Sequence, residues 1–143
     1  MNTKLQIRPF NNDTDRAQVI SLWKSVLGYT SPHSAPGLSI DKKVAAKDGL
    51  FFVALLENQI IGTVMAGYDG HRGWIYSLAV QPTHRTQGVG RKLMHQAESA
   101  LTRLGCLKIN LQVVESNAGV VDFYKKLGYC VEPRISMGKV LAP

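Results

Sequence analysis

The sequence is poor in cysteine, in acidic side chains and in long apolar runs, and each shortage removes a class of protein. Among 143 residues there are two cysteines, Cys106 and Cys130. Two cysteines make neither a disulfide framework nor a zinc site. Both lie beside expected strands, where a cysteine behaves as a small buried hydrophobe. The four histidines have no paired metal-ligand spacing, so no metal is expected. No apolar run reaches spanning length, and Met1-Asn2-Thr3-Lys4 opens no signal-peptide pattern. The expectation is a cytoplasmic protein with no membrane partner. Acidic residues number 10 against 17 basic ones, a formal net charge of +7. Such a field attracts an anionic ligand, and it also keeps a protein soluble. The basic residues are scattered along the chain, neither packed on one helix nor interleaved with aromatics. Nucleic acid is therefore not the expected partner.

What is present is a chain with 45% hydrophobic residues, enough for a folded core in one domain spanning 1–143. Leu5 to Pro9 alternates as a first strand. Asn11-Asn12-Asp13 is a turn whose Asp13 is the expected helix cap. Val19, Ile20, Trp23, Val26 and Leu27 form one apolar helical stripe, closed by Gly28. Gly28 to Leu38, rich in proline, glycine and serine, reads as a loop that includes His33. A short second helix is expected to start at Ser39 or Asp41 and run through Ala46. Leu50–Leu56, Ile60–Tyr68 and Gly73–Val80, joined by turns at Glu57-Asn58-Gln59 and Asp69-Gly70, make an antiparallel meander. Beyond them a helix to Leu104, a strand over Leu107–Val114, a helix over Ala118–Leu127, and strands near Tyr129–Val131 and Ile135–Val140 are expected. Periodicity alone gives a mixed α+β or α/β domain.

Gly73 to Leu104 organises this layout. A β-rich run ends at Val80, and Pro82 forbids its continuation as a central strand. A short polar turn with two glycines follows, and Val89, Leu93, Ala97, Ala100, Leu101 and Leu104 then recur at helical spacing. The first amides of a helix have no partner within it, and the helix dipole adds positive character there. Gly88 and Gly90 let a bulky anion approach the backbone N–H groups, while Arg85, Arg91 and Lys92 add formal charge. The stretch is a cradle for a phosphate or diphosphate. It is not a P-loop, which needs Gly-Lys-Ser/Thr, nor a dinucleotide fingerprint, whose third glycine would fall at Leu93.

Arg85-Thr86-Gln87-Gly88-Val89-Gly90 instead resembles the acetyl-coenzyme A signature of the GNAT acetyltransferases. Ser77-Leu78-Ala79-Val80 is similar to the end of that family's splayed fourth strand. Asn117-Ala118-Gly119-Val120-Val121-Asp122-Phe123-Tyr124-Lys125-Lys126-Leu127-Gly128, followed by Tyr129, resembles its second signature, at the distance the family requires. With Gly67 to Gly73 included, the overall pattern resembles the small bacterial YpeA-type members. The resemblance implies an α/β fold of the α+β mixed-sheet kind. Its sheet would be central and mostly antiparallel, splayed between strands four and five and flanked by about four helices.

The resemblance also implies an N-acetyltransferase. Acetyl-coenzyme A would be the co-substrate and a primary amine the acceptor, with direct transfer and no metal. Backbone amides of Leu78, Ala79 and Val80 would hold the pantetheine arm and polarise the thioester carbonyl, as an oxyanion donor does. Arg85, Thr86, Gln87, Gly88, Val89, Gly90 and Arg91 would bind the diphosphate. Asn117 would contact the cofactor arm, or cap the helix it precedes. Tyr124 would meet the sulfur as general acid, a role a phenol fills within hydrogen-bond reach of the thiolate. No base is evident. The fourth-strand glutamate of some members has no match in Trp74-Ile75-Tyr76-Ser77, and the fifth-strand glutamate of others is Gln112. Glu115, Asp69, His71 and His84 remain as candidates, and a water chain, or an amine that arrives neutral, would serve in their place. Two other classes stay open, a non-catalytic acyl-coenzyme A sensor and a basic nucleic-acid module, as does a homodimer.

Overall fold

The alternation after Leu5 forms β1 (Gln6–Pro9), and the chain then turns into α1 (Asn12–Val26). In this computed structural model, residues 4–28, 32 and 35–141 are described. His33, expected in the first long loop, lies outside them. The chain divides into two compact units, Met1–Leu111 and Gln112–Pro143.

The cap of α1 is Asn11, two residues before the expected Asp13. Asn11 is extended, and its side-chain oxygen accepts the Asp13 N–H at 2.9 Å. Asp15 answers by accepting the Asn11 N–H at 2.8 Å, a reciprocal arrangement like a capping box. The same buried carboxylate takes two bonds from the Arg8 guanidinium, at 2.6 and 2.9 Å, and so ties β1 to the head of α1. The Arg8 hydrogen bond holds the Asp15 carboxyl below its ordinary value. The second helix also begins early. α2 spans Pro36–Ala46, not a start at Ser39 or Asp41, because proline suits the first helical position, whose N–H has no partner in any case.

β2 (Phe51–Leu56), β3 (Gln59–Tyr68) and β4 (Gly73–Val80) form the expected meander. The β2–β3 turn carries positive φ at both Glu57 and Asn58, the twist that suits a two-residue hairpin. Five strands lie in the order β1-β2-β3-β4-β5, all antiparallel except the last pair. β5 is Ile109–Leu111, joined to β4 by α3 (Val89–Arg103). Val19, Leu22 and Trp23 of α1 pack with Ile40 of α2 against Phe51, Val53, Leu55 and Met65. On the opposite face α3 buries Val89, Leu93, Met94, Ala97 and Leu101, each large one contributing about 1.5–3 kcal/mol relative to exposure. This helix lies flush on the sheet. A Cβ on Gly62 would meet Leu93 Cδ1 at 2.9 Å, and one on Gly73 would meet Leu101 Cδ1 at 2.9 Å.

Between β3 and β4 the ladder breaks. Thr63 pairs with Ala79 and Met65 with Tyr76, so Ser77 and Leu78 together stand opposite Val64. This is a β-bulge, and Ser77 enters it with φ of 53°. The turned Ser77 carbonyl accepts from the Thr63 hydroxyl at 2.9 Å, and that hydroxyl accepts from the Trp23 indole N–H at 2.8 Å. Thr63 and Trp23 are both fully buried. A helix, a strand and a bulge are thus pinned by one short polar relay.

The splay expected between strands four and five is present. Only Gly73, Trp74 and Ile75 pair with Ile109, Asn110 and Leu111, and from Tyr76 onward β4 has no β5 partner. The expected fifth strand over Leu107–Val114 is cut to three residues because the ladder, not the alternation, sets its length; Leu107 is 97% exposed. In the second unit α4 spans Val120–Lys126, shorter than the expected Ala118–Leu127. No strand forms near Tyr129–Val131 or Ile135–Val140 among the described residues. Alternation cannot make a strand without a backbone partner, and Ile135 and Met137 stand 91% and 92% exposed.

Two expectations follow. Asp15→Asn should destabilise the protein by about 1–2 kcal/mol at pH 7, discounted because Arg8 is part-exposed. The Asp15 carboxyl titrates lower folded than unfolded, so its contribution is complete above the unfolded value near about 4 and fades as pH falls through the folded one. Urea midpoints of the two proteins should converge at acid pH. Thr63→Val strands the Trp23 N–H and the Ser77 carbonyl, and should cost about 2 kcal/mol by urea denaturation, whereas Thr63→Ser should restore most of it.

Candidate active site

From the bulge, β4 runs to Val80, then through a 3-10 turn at Pro82–His84 into the loop that opens α3. The Gln81 N–H donates to the Ile61 carbonyl at 2.8 Å. In an antiparallel ladder successive residues point their N–H groups to opposite sides, so the Val80 N–H faces away from β3, toward the splayed side. The Val80 carbonyl accepts from Arg85 Nε at 3.2 Å, which folds the arginine back along the strand end. Leu78 lies in the bulge outside the register, and Ala79 is buried against the α1 face. Ten of the expected positions, Leu78 to Val80 and Arg85 to Arg91, are thus carried by one continuous strand-loop-helix corner.

The amides at this corner are open. Gln87 N–H donates to His84 at 3.3 Å and Lys92 N–H to Gly88 at 3.1 Å. The N–H groups of Thr86, Gly88, Val89, Gly90 and Arg91 have no partner among the described residues. Gly88 caps α3 with φ of 77°, a left-handed conformation that glycine adopts without a steric penalty. No side chain caps this helix, and its first turn holds no acidic residue. Arg85, Arg91 and Lys92 are exposed and form no ion pair with any described carboxylate. The corner is therefore a cluster of unpaired donors at the positive end of a dipole, ringed by unpaired cations. It suits a multiply charged anion such as a diphosphate.

Asn117 and Tyr124 belong to the second unit and are placed there separately. Asn117 ends a short turn over Glu115–Asn117, its N–H donating to Val114 at 2.8 Å. It does not cap α4, whose first cap position is Gly119. Its exposed side chain makes no hydrogen bond to a described residue and so stays available. Tyr124 is half-buried between Phe123 and Tyr129, with edge-to-face centroids at 5.1 and 5.9 Å. Burial pushes its phenol above the ordinary value, so the hydroxyl keeps its proton at neutral pH. Gly128, with φ of 97°, closes the helix as its position suggests.

Of the titratable groups left over, Asp69 is committed to structure. Its carboxylate accepts the Arg72 and His71 N–H groups, each at 2.7 Å, and these bonds hold its pKa below the ordinary carboxylate value. His84 Nδ1 lies 3.1 Å from the Thr83 hydroxyl. Sequence reasoning passed over Thr63 as one more strand residue, although a polar side chain inside the apolar run Ile60–Ala66 was a visible signal. Lys43 is buried, its ammonium paired with Asp48 at 2.7 Å and lying 5.3 Å from the Tyr76 ring centroid.

Residues 16–129 match the model of the acetyltransferase (GNAT) family. A curated relative from Yersinia pestis (strain Pestoides F), described as an acetyltransferase, is 39% identical over 137 residues, covering 96% of each chain. Among solved structures, the aminoglycoside N-acetyltransferase AAC(6')-Iy in complex with CoA superposes with a TM-score of 0.79 at 20% identity, covering 99% of this chain and 98% of that one. The PaiA N-acetyltransferase of Thermoplasma acidophilum, also in complex with coenzyme A, gives 0.78 at 21% identity over 92% and 93%. Glucosamine-6-phosphate N-acetyltransferase from Arabidopsis thaliana gives 0.73 at 20% over 97% and 99%. Bulged strand, open amide corner, tyrosine-bearing helix and relatives agree: the chain belongs to the GNAT family of acetyltransferases.

Proposed function

We propose that this chain moves the acetyl group of acetyl-coenzyme A onto a primary amine by direct attack, its 143 residues acting as one domain. The family match crosses the boundary between the two units, which supports the single-domain reading. Two of the structural relatives are described in complex with coenzyme A, which supports the choice of co-substrate. The observation that carries the proposal is the open amide corner from Thr86 to Arg91, with no internal anion to satisfy it. Its N–H groups would take the diphosphate, and Arg85, Arg91 and Lys92 would neutralise the remaining charge.

With the diphosphate held there, the thioester arm would run back along the splayed side of β4. The Val80 N–H would hold the pantetheine arm, and the Leu78 N–H in the bulge would face the developing oxyanion. A donor placed beforehand in this way stabilises charge as it forms. The amine nitrogen forms a bond to the acetyl carbon, the carbon–sulfur bond breaks, and the Tyr124 phenol gives its proton to the departing sulfur. The proton lost by the amine leaves to solvent, and solvent returns one to the Tyr124 phenolate; Asp69, occupied by backbone N–H groups, is not assigned as the base. Asn117, with its side chain uncommitted, would bind the cofactor arm.

Gly88→Ala forces a Cβ into a left-handed position worth about 1–2 kcal/mol of strain. Relief of that strain swings the corner amides, so the Kd of coenzyme A should rise about tenfold by calorimetry. Tyr124→Phe should lower kcat about 100-fold with the amine KM within about twofold, the pattern of a lost general acid. The wild-type pH–rate profile should fall on an alkaline limb above about 10, because the phenol titrates above its ordinary value, and the Phe variant should lack that limb. Unchanged turnover in Tyr124→Phe would remove the acid assignment.

A further inference from the structure

A cleft of about 330 Å³ opens in the first unit, and the cofactor reading leaves it unused. From α2 it is lined by Ser39, Lys42 and Lys43, from the following turn by Asp48, and from β4 by Tyr76 and Ser77. It therefore reaches the bulge itself, where Ser77 is the first displaced residue. An amine lying at its Ser77 end would be next to the strand segment assigned above to the thioester.

The charges around this cleft are unequal. The Lys43 ammonium donates to Asp48 at 2.7 Å and to the Ala66 carbonyl, and the Tyr76 ring covers it. The second Asp48 oxygen accepts the Leu50 N–H at 3.0 Å. Lys43 and Asp48 thus satisfy and neutralise each other, and no other carboxylate lies among the described residues lining the cleft. Lys42 is exposed and forms no ion pair with any described carboxylate. Ser39 lies three residues before Lys42 and so shares its face of the helix. What the cleft offers a ligand at that end is one unpaired cation and one hydroxyl. Such a surface favours an anion and rejects a polycation.

We propose that the acceptor is an amine that also carries a carboxylate or phosphate, with Lys42 and Ser39 binding the anionic group and the amine reaching toward Ser77. This rests on the acetyl-transfer reading above. The test is initial-rate thiol release from acetyl-coenzyme A with matched amines. Free amino acids are compared with their methyl esters, and an amino-sugar phosphate with its unphosphorylated sugar, rates being expressed per neutral amine. Spermidine serves as the polycation.

The acidic member of at least one pair should exceed its partner by about tenfold or more in kcat/KM, the size of one good charged contact. Which pair does so tells carboxylate from phosphate. Lys42→Glu should bring that ratio to about one or below, with the melting temperature unchanged because the side chain is exposed. Preference for spermidine or for the uncharged partners, or a ratio unmoved by Lys42→Glu, overturns this assignment and leaves acetyl transfer standing. Coenzyme A binding with no thiol release for any amine overturns both.

Discussion

The hydroxyl of Thr63 keeps one carbonyl out of the sheet. Ser77 would otherwise extend the β3–β4 ladder, and its oxygen is turned inward because the buried hydroxyl offers it a proton. That hydroxyl has only one hydrogen, and the Trp23 indole fills the acceptor side. Both groups sit where water cannot replace them, so release of either would leave a buried polar atom unmatched. The positive φ of Ser77, unfavourable for a residue with a Cβ, is held by this arrangement. Everything downstream in the strand takes its phase from that displacement, including the side on which the Val80 N–H emerges.

The two longest helices of the chain treat their N-termini in opposite ways. α1 has Asn11 on one amide, Asp15 answering back, and Asp13 and Asp15 in its first turn. α3 has a glycine cap, no side-chain acceptor and cations on both sides. Both begin from the same requirement, since the first amides of any helix lack internal partners. One chain thus shows the usual solution and its deliberate omission. A helix end left bare, beside arginine and lysine that pair with no described carboxylate, is left to water, and an external anion would satisfy it better.

Much of this was legible beforehand because it rests on local pattern. Hydrophobic spacing placed the meander and both long helices, and Pro82 together with Gly88 and Gly90 marked the corner. The misplacements have specific physical causes. Asp13 and Asn11 are equally good caps by type, and only backbone geometry chooses between them. Pro36 was counted as a loop residue, although the first turn of a helix is where proline fits. Leu107 to Val114 alternates well, but Gly73–Ile75 offers it three rungs and no more. Tyr129–Val131 and Ile135–Val140 have strand-like composition and no ladder. The Thr63 relay and the Lys43–Asp48 pair join residues distant in sequence or across a turn, and no periodicity encodes such contacts.

The absence of a side chain at Gly62 and Gly73 has a last consequence. Val89 and Leu93 sit directly on Gly62, and Leu101 on Gly73, so α3 rests on bare backbone at two points along its length. Bulk at either glycine would press on those side chains, so the approach of α3 to the sheet depends on both positions staying bare. α2 meets the sheet through side chains, Ile40 and Lys43, that can be exchanged for others. Descendants of this chain could change the proposed acceptor end through α2, while the corner proposed for the diphosphate keeps its place.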